Sequence, residues 1–83
     1  MKRAQNQTRF SGEVLQAAKT GSPIVALESA VITHGLPRPK NFELALDMER
    51  VVRAEGATPA TIALIDGVIN VGMTEEKIEM LAY

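Results

Sequence analysis

Two aliphatic runs, Ile24-Val25-Ala26-Leu27 and Thr61-Ile62-Ala63-Leu64-Ile65, stand on either side of a stretch whose apolar residues recur at helical spacing. Continuous runs of this length and branching predict strands buried on both faces. Between them, Leu44, Met48, Val51 and Val52 fall at i, i+4, i+7 and i+8, one apolar stripe that predicts a helix from Phe42 to about Glu55. Asn41 is placed to cap it, Gly56 to close it, and Glu49 and Arg53 to pair on its exposed side. Upstream, Ser11 predicts the start of a short helix with Glu13 in its first turn and Val14, Leu15 and Ala18 as its apolar face. Gly21 ends that helix and Pro23 prevents its resumption. Ala30-Val31-Ile32 either extends the first strand or begins the loop, and the pattern leaves both open. His34-Gly35-Leu36-Pro37-Arg38-Pro39 reads as loop.

Asp66-Gly67 separates the second aliphatic run from Val68-Ile69-Asn70-Val71, which predicts a tight hairpin because a type I′ turn needs positive φ at both central residues. Thr74 then caps a last helix, with Glu75 and Glu76 in its first turn and Ile78, Leu81 and Met80 as its packing face. A strand–helix–strand unit gives a parallel pair with a right-handed crossover, and the hairpin adds an antiparallel neighbour. The expected fold class is therefore α/β: a mixed β-sheet with helices packed on it, a partial three-layer α/β/α arrangement whose outer strands keep unpaired edges and apolar faces. Residues 1–10 are expected to be disordered or loosely attached, and residues 11–83 to form one body.

Composition narrows the function classes. The chain has 83 residues, a length at which only roughly 60–65% of the unfolded surface is buried on folding. Nine basic and ten acidic residues nearly cancel, and the cations near the start (Lys2, Arg3, Arg9) have Gln and Asn rather than aromatic platforms around them. No nucleic-acid partner is expected from such a balance. The absence of cysteine excludes a disulfide framework and a thiolate metal site. No apolar run approaches the roughly 20 residues that cross a bilayer, so no membrane partner is expected and a cytoplasmic location is the default.

Glu28 is the main candidate for chemistry. It directly follows an aliphatic strand, at the carboxyl end where ligands bind in open α/β sheets. A carboxyl held against aliphatic walls loses hydration and can keep a proton to donate. Position alone leaves a second reading open, a strand-end carboxylate paired with Arg38 or Lys40 or simply solvated. His34, the single histidine, is open to a base, a ligand contact or a loop hydrogen bond. Arg38 and Lys40 precede a helix start, where an anion would be favoured, and equally suit a charged surface. No glycine-rich phosphate loop is present.

Taken together, Pro23-Ile24-Val25-Ala26-Leu27-Glu28-Ser29 followed by Ile32-Thr33-His34-Gly35-Leu36-Pro37 resembles the opening motif of the pseudouridine-5'-phosphate glycosidase family, also called the indigoidine synthase A-like family. Glu55-Gly56-Ala57-Thr58-Pro59-Ala60-Thr61-Ile62-Ala63 is similar to the next family block, and Asp66-Gly67, Val71-Gly72 and Thr74-Glu75-Glu76 continue it in order. The resemblance implies reversible joining and splitting of uracil and ribose 5-phosphate through a C–C glycosidic bond, with an imine between a lysine and the sugar C1′. His34 stays a candidate substrate-binding residue on its own chemistry, while the resemblance implies that Glu28 is the proton donor that assists ring opening, that Mn2+ is the metal and that the assembly is a homotrimer. Ala30 stands where many relatives carry Thr. The resemblance also places the imine-forming lysine, the phosphate-binding lysine and the metal-binding aspartate beyond Tyr83. The chain thus corresponds to an N-terminal fragment that is expected to be inactive alone. The alternative is a non-catalytic α/β module that binds or assembles with a partner.

Overall fold

A computed structural model describes residues 7–83. In chain order it contains β1 (Thr8–Phe10), α1 (Gly12–Thr20), β2 (Ile24–Glu28), a π-helical turn (Val31–Gly35), α2 (Lys40–Ala54), β3 (Thr58–Ile65), β4 (Val68–Val71) and α3 (Glu75–Ala82). The strands form one sheet in the order β1-β4-β3-β2. The pair β2–β3 is parallel, with Ile24 opposite Thr58 and Glu28 opposite Ile62. The pair β3–β4 is antiparallel, from Ile62 opposite Val71 to Ile65 opposite Val68. This is the expected mixed sheet of α/β class.

Local chemistry explains several elements directly. Ser11 caps α1, its hydroxyl accepting from the Val14 N–H at 3.1 Å, and Thr74 caps α3 in the same way from Lys77 at 3.2 Å. Asp66 and Gly67 take φ of 51° and 76°, the left-handed pair that the tight hairpin demands. Gly72, just after β4, holds φ of 83°. A Cβ built there would lie 2.4 Å from Ser11 Oγ and 2.6 Å from Val14 Cγ2, so α1 packs directly on bare backbone.

Other expectations are corrected. Thr8–Phe10 is not loose: it forms β1, pairing parallel with β4 from Thr8 opposite Ile69 to Phe10 opposite Val71. Residues 1–6, with Lys2 and Arg3, lie outside the described residues. Val14 and Ala17 form the buried side of α1, while Leu15 and Ala18 are exposed. Neither aliphatic strand is buried on both faces, because helices α2 and α3 pack on one side of the sheet: Ile24 and Val25 of β2 are exposed, as are Ile62 and Leu64 of the central β3. Ala30-Val31-Ile32 neither extends the strand nor stays irregular, since it enters the π-helical turn. The helix α2 starts at Lys40, and its most buried positions are Asn41, Ala45 and Glu49, a stripe turned away from Val51. In α3, Ile78 and Ala82 are buried, Leu81 is half-buried and Met80 is exposed.

The core lies between the sheet and the pair α2–α3. Ile32, Ala45, Ala63, Met73, Ile78 and Ala82 make it, with Val31, Phe42, Leu46, Ile65 and Leu81 packed around them. Side chains alternate across a sheet, and partners on neighbouring strands share a face. Ala63 and Ile65 therefore define the face toward α2 and α3. Ile62 and Leu64 belong to the reverse face, with Ile24, Ala26 and Glu28 of β2, Ile69 of β4, and Thr8 and Phe10 of β1. On that reverse face Phe10, Ile24, Ile62, Leu64 and Ile69 are all exposed.

Candidate functional site

Glu28 closes β2 and lies beside Ile62 in register. Its neighbours on the face are aliphatic, and its own side chain is exposed. Among the described residues, the ion pairs join Arg50 to Asp47 and Arg53 to both Glu13 and Glu49, so none engages Glu28. The pairing with Arg38 or Lys40 is not formed. The Arg38 guanidinium instead lies 5.1 Å from the centroid of the Tyr83 ring, a cation–π contact, and Lys40 opens α2.

Directly after Glu28 the chain turns. The Ser29 carbonyl accepts from the Ile32 and Thr33 N–H groups at 3.0 and 3.3 Å, which starts the wide turn carrying His34 and Gly35. His34 is exposed, and its ring makes no hydrogen bond among the described residues. Glu28 and His34 therefore share the connection at the carboxyl end of β2 without bonding to each other. Single-turn π segments are frequent at functional sites, because they break the regular ladder and re-aim side chains.

What holds this connection in place is Asn41, which is 3% exposed. Its Nδ2 donates to the Ile32 carbonyl at 2.9 Å and to the Ala82 carbonyl at 3.0 Å, tying the π-helical turn and the end of α3 to the start of α2. Its Oδ1 accepts the Phe42 N–H at 2.8 Å. The residue thus meets an early orphan donor of the helix, as a cap does, but from inside the first turn. A polar residue at a helix start is legible in sequence; its two long-range acceptors have no local signature.

Glu49 is the second residue that the sequence pattern misplaced. It is 4% exposed, not on the outer side of α2. The Thr61 hydroxyl donates to its Oε2 at 2.6 Å, and Arg53 Nη2 donates to its Oε1 at 3.2 Å. Arg53 also makes a two-pronged contact with Glu13, Nε to Oε2 at 2.9 Å and Nη2 to Oε1 at 2.8 Å. That hydrogen bond, followed by the guanidinium charge, holds the Glu13 carboxyl below its ordinary value, and the same bond raises Arg53. The signal available beforehand was the i, i+4, i+8 spacing of Asn41, Ala45 and Glu49. This network fastens α1, α2 and β3 and has no free acid or base to offer.

Glu28 lines neither of two hollows. An apolar groove of about 310 Å³ is lined by Leu27, Leu44, Asp47, Met48 and Val51, beside the free edge of β2. A polar cleft of about 270 Å³ gathers Arg9, Asp66, Asn70 and Lys77 with Ile65, Val68 and Met80. Lys77 Nζ donates to Asn70 Oδ1 at 3.2 Å within it. The cleft was not legible from sequence because Arg9 reaches it on β1, a strand that the pattern did not predict. No group of three or more His, Cys, Asp or Glu that could hold a metal ion comes together among the described residues. No described helix is long and apolar enough to cross a membrane.

Comparison with known proteins agrees with the order of these elements. The model of a family described as indigoidine synthase A like protein matches residues 13–83. A pseudouridine-5'-phosphate glycosidase of Mycoplasmopsis agalactiae is 55% identical over 73 residues, which cover 88% of this chain and 24% of the relative. The chain spans about a quarter of the length of the curated relatives it matches. Among solved structures, an indigoidine synthase A-like protein of Thermotoga maritima superposes with a TM-score of 0.76 at 29% identity, covering 99% of this chain and 26% of that one. The prealnumycin C-glycosynthase, solved in complex with ribulose 5-phosphate, superposes with a TM-score of 0.73 at 37% identity, covering 95% and 25%.

Proposed function

The chain belongs to the indigoidine synthase A-like family, and from that premise we propose that it supplies the proton-donor segment of a pseudouridine-5'-phosphate glycosidase, with Glu28 as the acid. The observation that carries this reading is the position of Glu28. It is the last residue of an aliphatic strand, on an aliphatic sheet face, in a chain 55% identical to a protein named for that activity.

In the proposed reaction, Glu28 gives its proton to the ribose ring oxygen as the C1′–O bond opens, that bond's electron pair staying on the oxygen as a hydroxyl while a lysine amine forms the new bond to C1′. The nitrogen lone pair then forms the imine at C1′ as the C–C bond to uracil breaks. The pair of that bond passes to the uracil carbon, where the ring carbonyl stabilises it until it takes up a proton, without the paired-carboxylate arrangement of ordinary glycosidases. That lysine is assigned to sequence outside residues 1–83. Mn2+ belongs to the same proposal with its ligands assigned to sequence outside residues 1–83; no group of three or more possible ligands comes together among the described residues, and no step is routed through the metal. Substrate contact by His34, a homotrimer and a cytoplasmic location belong to the same proposal. The relatives' names do not favour the alternative of a non-catalytic binding module.

The test is a chimera in which residues 13–83 replace the matching segment of the Mycoplasmopsis agalactiae relative. Release of uracil from pseudouridine 5'-phosphate is expected from the chimera and not from the 83 residues alone. General-acid catalysis contributes about 10²–10⁴-fold, so Glu28→Gln in the chimera should lower turnover by about that factor while substrate binding is kept. Turnover within about threefold of the parent would remove Glu28 from the chemistry.

A further inference from the structure

The polar cleft of about 270 Å³ borders a smaller hollow of about 80 Å³ that runs down to Ser11 and the Thr74 cap of α3. Arg9, Asn70 and Lys77 line both, so the two meet at these three side chains. Strand register explains the meeting. Arg9 of β1 stands opposite Asn70 of β4, and Asn70 opposite Ala63 of β3, which puts all three on the face toward α2 and α3. Lys77 reaches the same place from the first turn of α3.

Asn70 is 3% exposed. Its Oδ1 accepts from Lys77 Nζ at 3.2 Å, while its Nδ2 donates to the Val68 carbonyl at 3.1 Å. A neutral amide held in this way aims the ammonium without cancelling its charge, and the ammonium keeps further N–H donors to give. Arg9 brings a second cation to the same wall, and neither cation enters an ion pair among the described residues. Of the acids, Asp66 lines only the hairpin end of the larger cleft, and the smaller hollow has no acid in its lining. Glu75 and Glu76 are exposed and line neither. Two cations thus share one concave wall with a surplus of donors and a deficit of negative charge.

We propose that Arg9, Asn70 and Lys77 form a binding site for a phosphate group, on the opposite face of the sheet from Glu28. A guanidinium fork satisfies two oxygens of one anion. A planar carboxylate then has no oxygen left for Lys77, which approaches from α3, whereas a tetrahedral phosphate does. Arginine for the paired contact and lysine as a point charge is a division of labour that suits this geometry. The start of α3 adds the positive pole of its backbone. The larger cleft, walled by Ile65, Val68 and Met80, has room for the carbon body of a phosphate monoester. Neither the binding nor its test depends on the role of Glu28.

The test is a titration of the 83-residue chain with inorganic phosphate at constant ionic strength, followed by amide NMR. Saturable shifts are expected around Arg9, Asn70 and Lys77, with a midpoint at or below about 5 mM. Lys77→Gln and Arg9→Gln should each raise that midpoint at least about fivefold, while Arg50→Gln, an exposed cation on α2, should leave it within about twofold. Asp66→Asn keeps a residue suited to the left-handed turn and removes a like charge, so the midpoint should fall by about twofold or more. Shifts that rise linearly without saturation, a midpoint that acetate matches, an unmoved midpoint in Lys77→Gln or a raised one in Asp66→Asn would each overturn the proposal. The amide spectrum shows in the same samples that each variant is folded. Glycerol 3-phosphate serves as a second probe: tighter binding than inorganic phosphate assigns the site to a monoester, and equal or weaker binding to the free ion.

Discussion

Ile78 and Leu64 are isomeric side chains on opposite sides of one sheet. Ile78 is 0% exposed among Ile32, Ala45, Ala63 and Ala82, whereas Leu64 points away from that core and is 69% exposed. The contrast extends to the acids. Glu49, on the shielded side, has its two oxygens taken by Thr61 and Arg53, while Glu28, on the open side, has no partner among the described residues. Burial and full hydrogen bonding make a group structural, because neither proton nor lone pair is left to offer. Exposure without a partner leaves a group available, but water then sets its behaviour. A side chain that donates a proton needs a third state, dry and yet unpaired, and neither Glu49 nor Glu28 is in it in this structure.

The contrast can be attacked in order of expected effect. Ile78→Ala should destabilise the chain by about 3 kcal/mol through lost burial and a residual cavity, while Leu64→Ala should change stability by less than about 0.5 kcal/mol. Urea unfolding of both variants measures the difference, and equal losses would erase the distinction between the faces. Asn41→Ala strips the donors from two carbonyls and should cost about 2 kcal/mol. Hydrogen exchange should then quicken at the π-helical turn and at the end of α3. Unchanged exchange at either place would show that Asn41 does not couple them.

The smallest effect is electrostatic. The Glu13 carboxyl is lowered in the folded chain by its hydrogen bond to Arg53 and by the guanidinium charge. Its stabilisation is therefore fully present above its ordinary value of 4.5 and is lost as pH falls through the lowered folded value. Both partners are nearly half exposed, so the contribution is about 0.5 kcal/mol. Comparing Glu13→Gln with the parent should show that gap at neutral pH and its closure in acid. A gap that persists deep into acid would assign it to packing rather than charge.

The pattern along the chain revealed what is decided within a few residues: the Ser11 and Thr74 caps, the Asp66-Gly67 hairpin, and the parallel β2–β3 pair implied by a helical crossover. What escaped depends on distant partners. Thr8–Phe10 becomes a strand only because Ile69-Asn70-Val71 pairs with it some sixty positions later. The helix α2 presents Glu49 inward because Thr61 and Arg53 satisfy its carboxylate, which outweighs the hydrophobic ranking that favoured Val51. Glu28 stands out because a carboxylate ending an aliphatic strand is conspicuous in sequence. Its exposed surroundings match one of the two readings that position left open, since no local pattern reports which side of a sheet is covered.

Gly72 joins these observations. With no side chain of its own, it lets Ser11 and Val14 rest against the main chain where β4 ends. A single methyl at that point would act as a wedge under the first turn of α1. The strain would pass along the preceding residues to β1, whose Phe10 forms one margin of the exposed apolar face of the sheet. One missing carbon atom thus sets how wide a platform the chain can present.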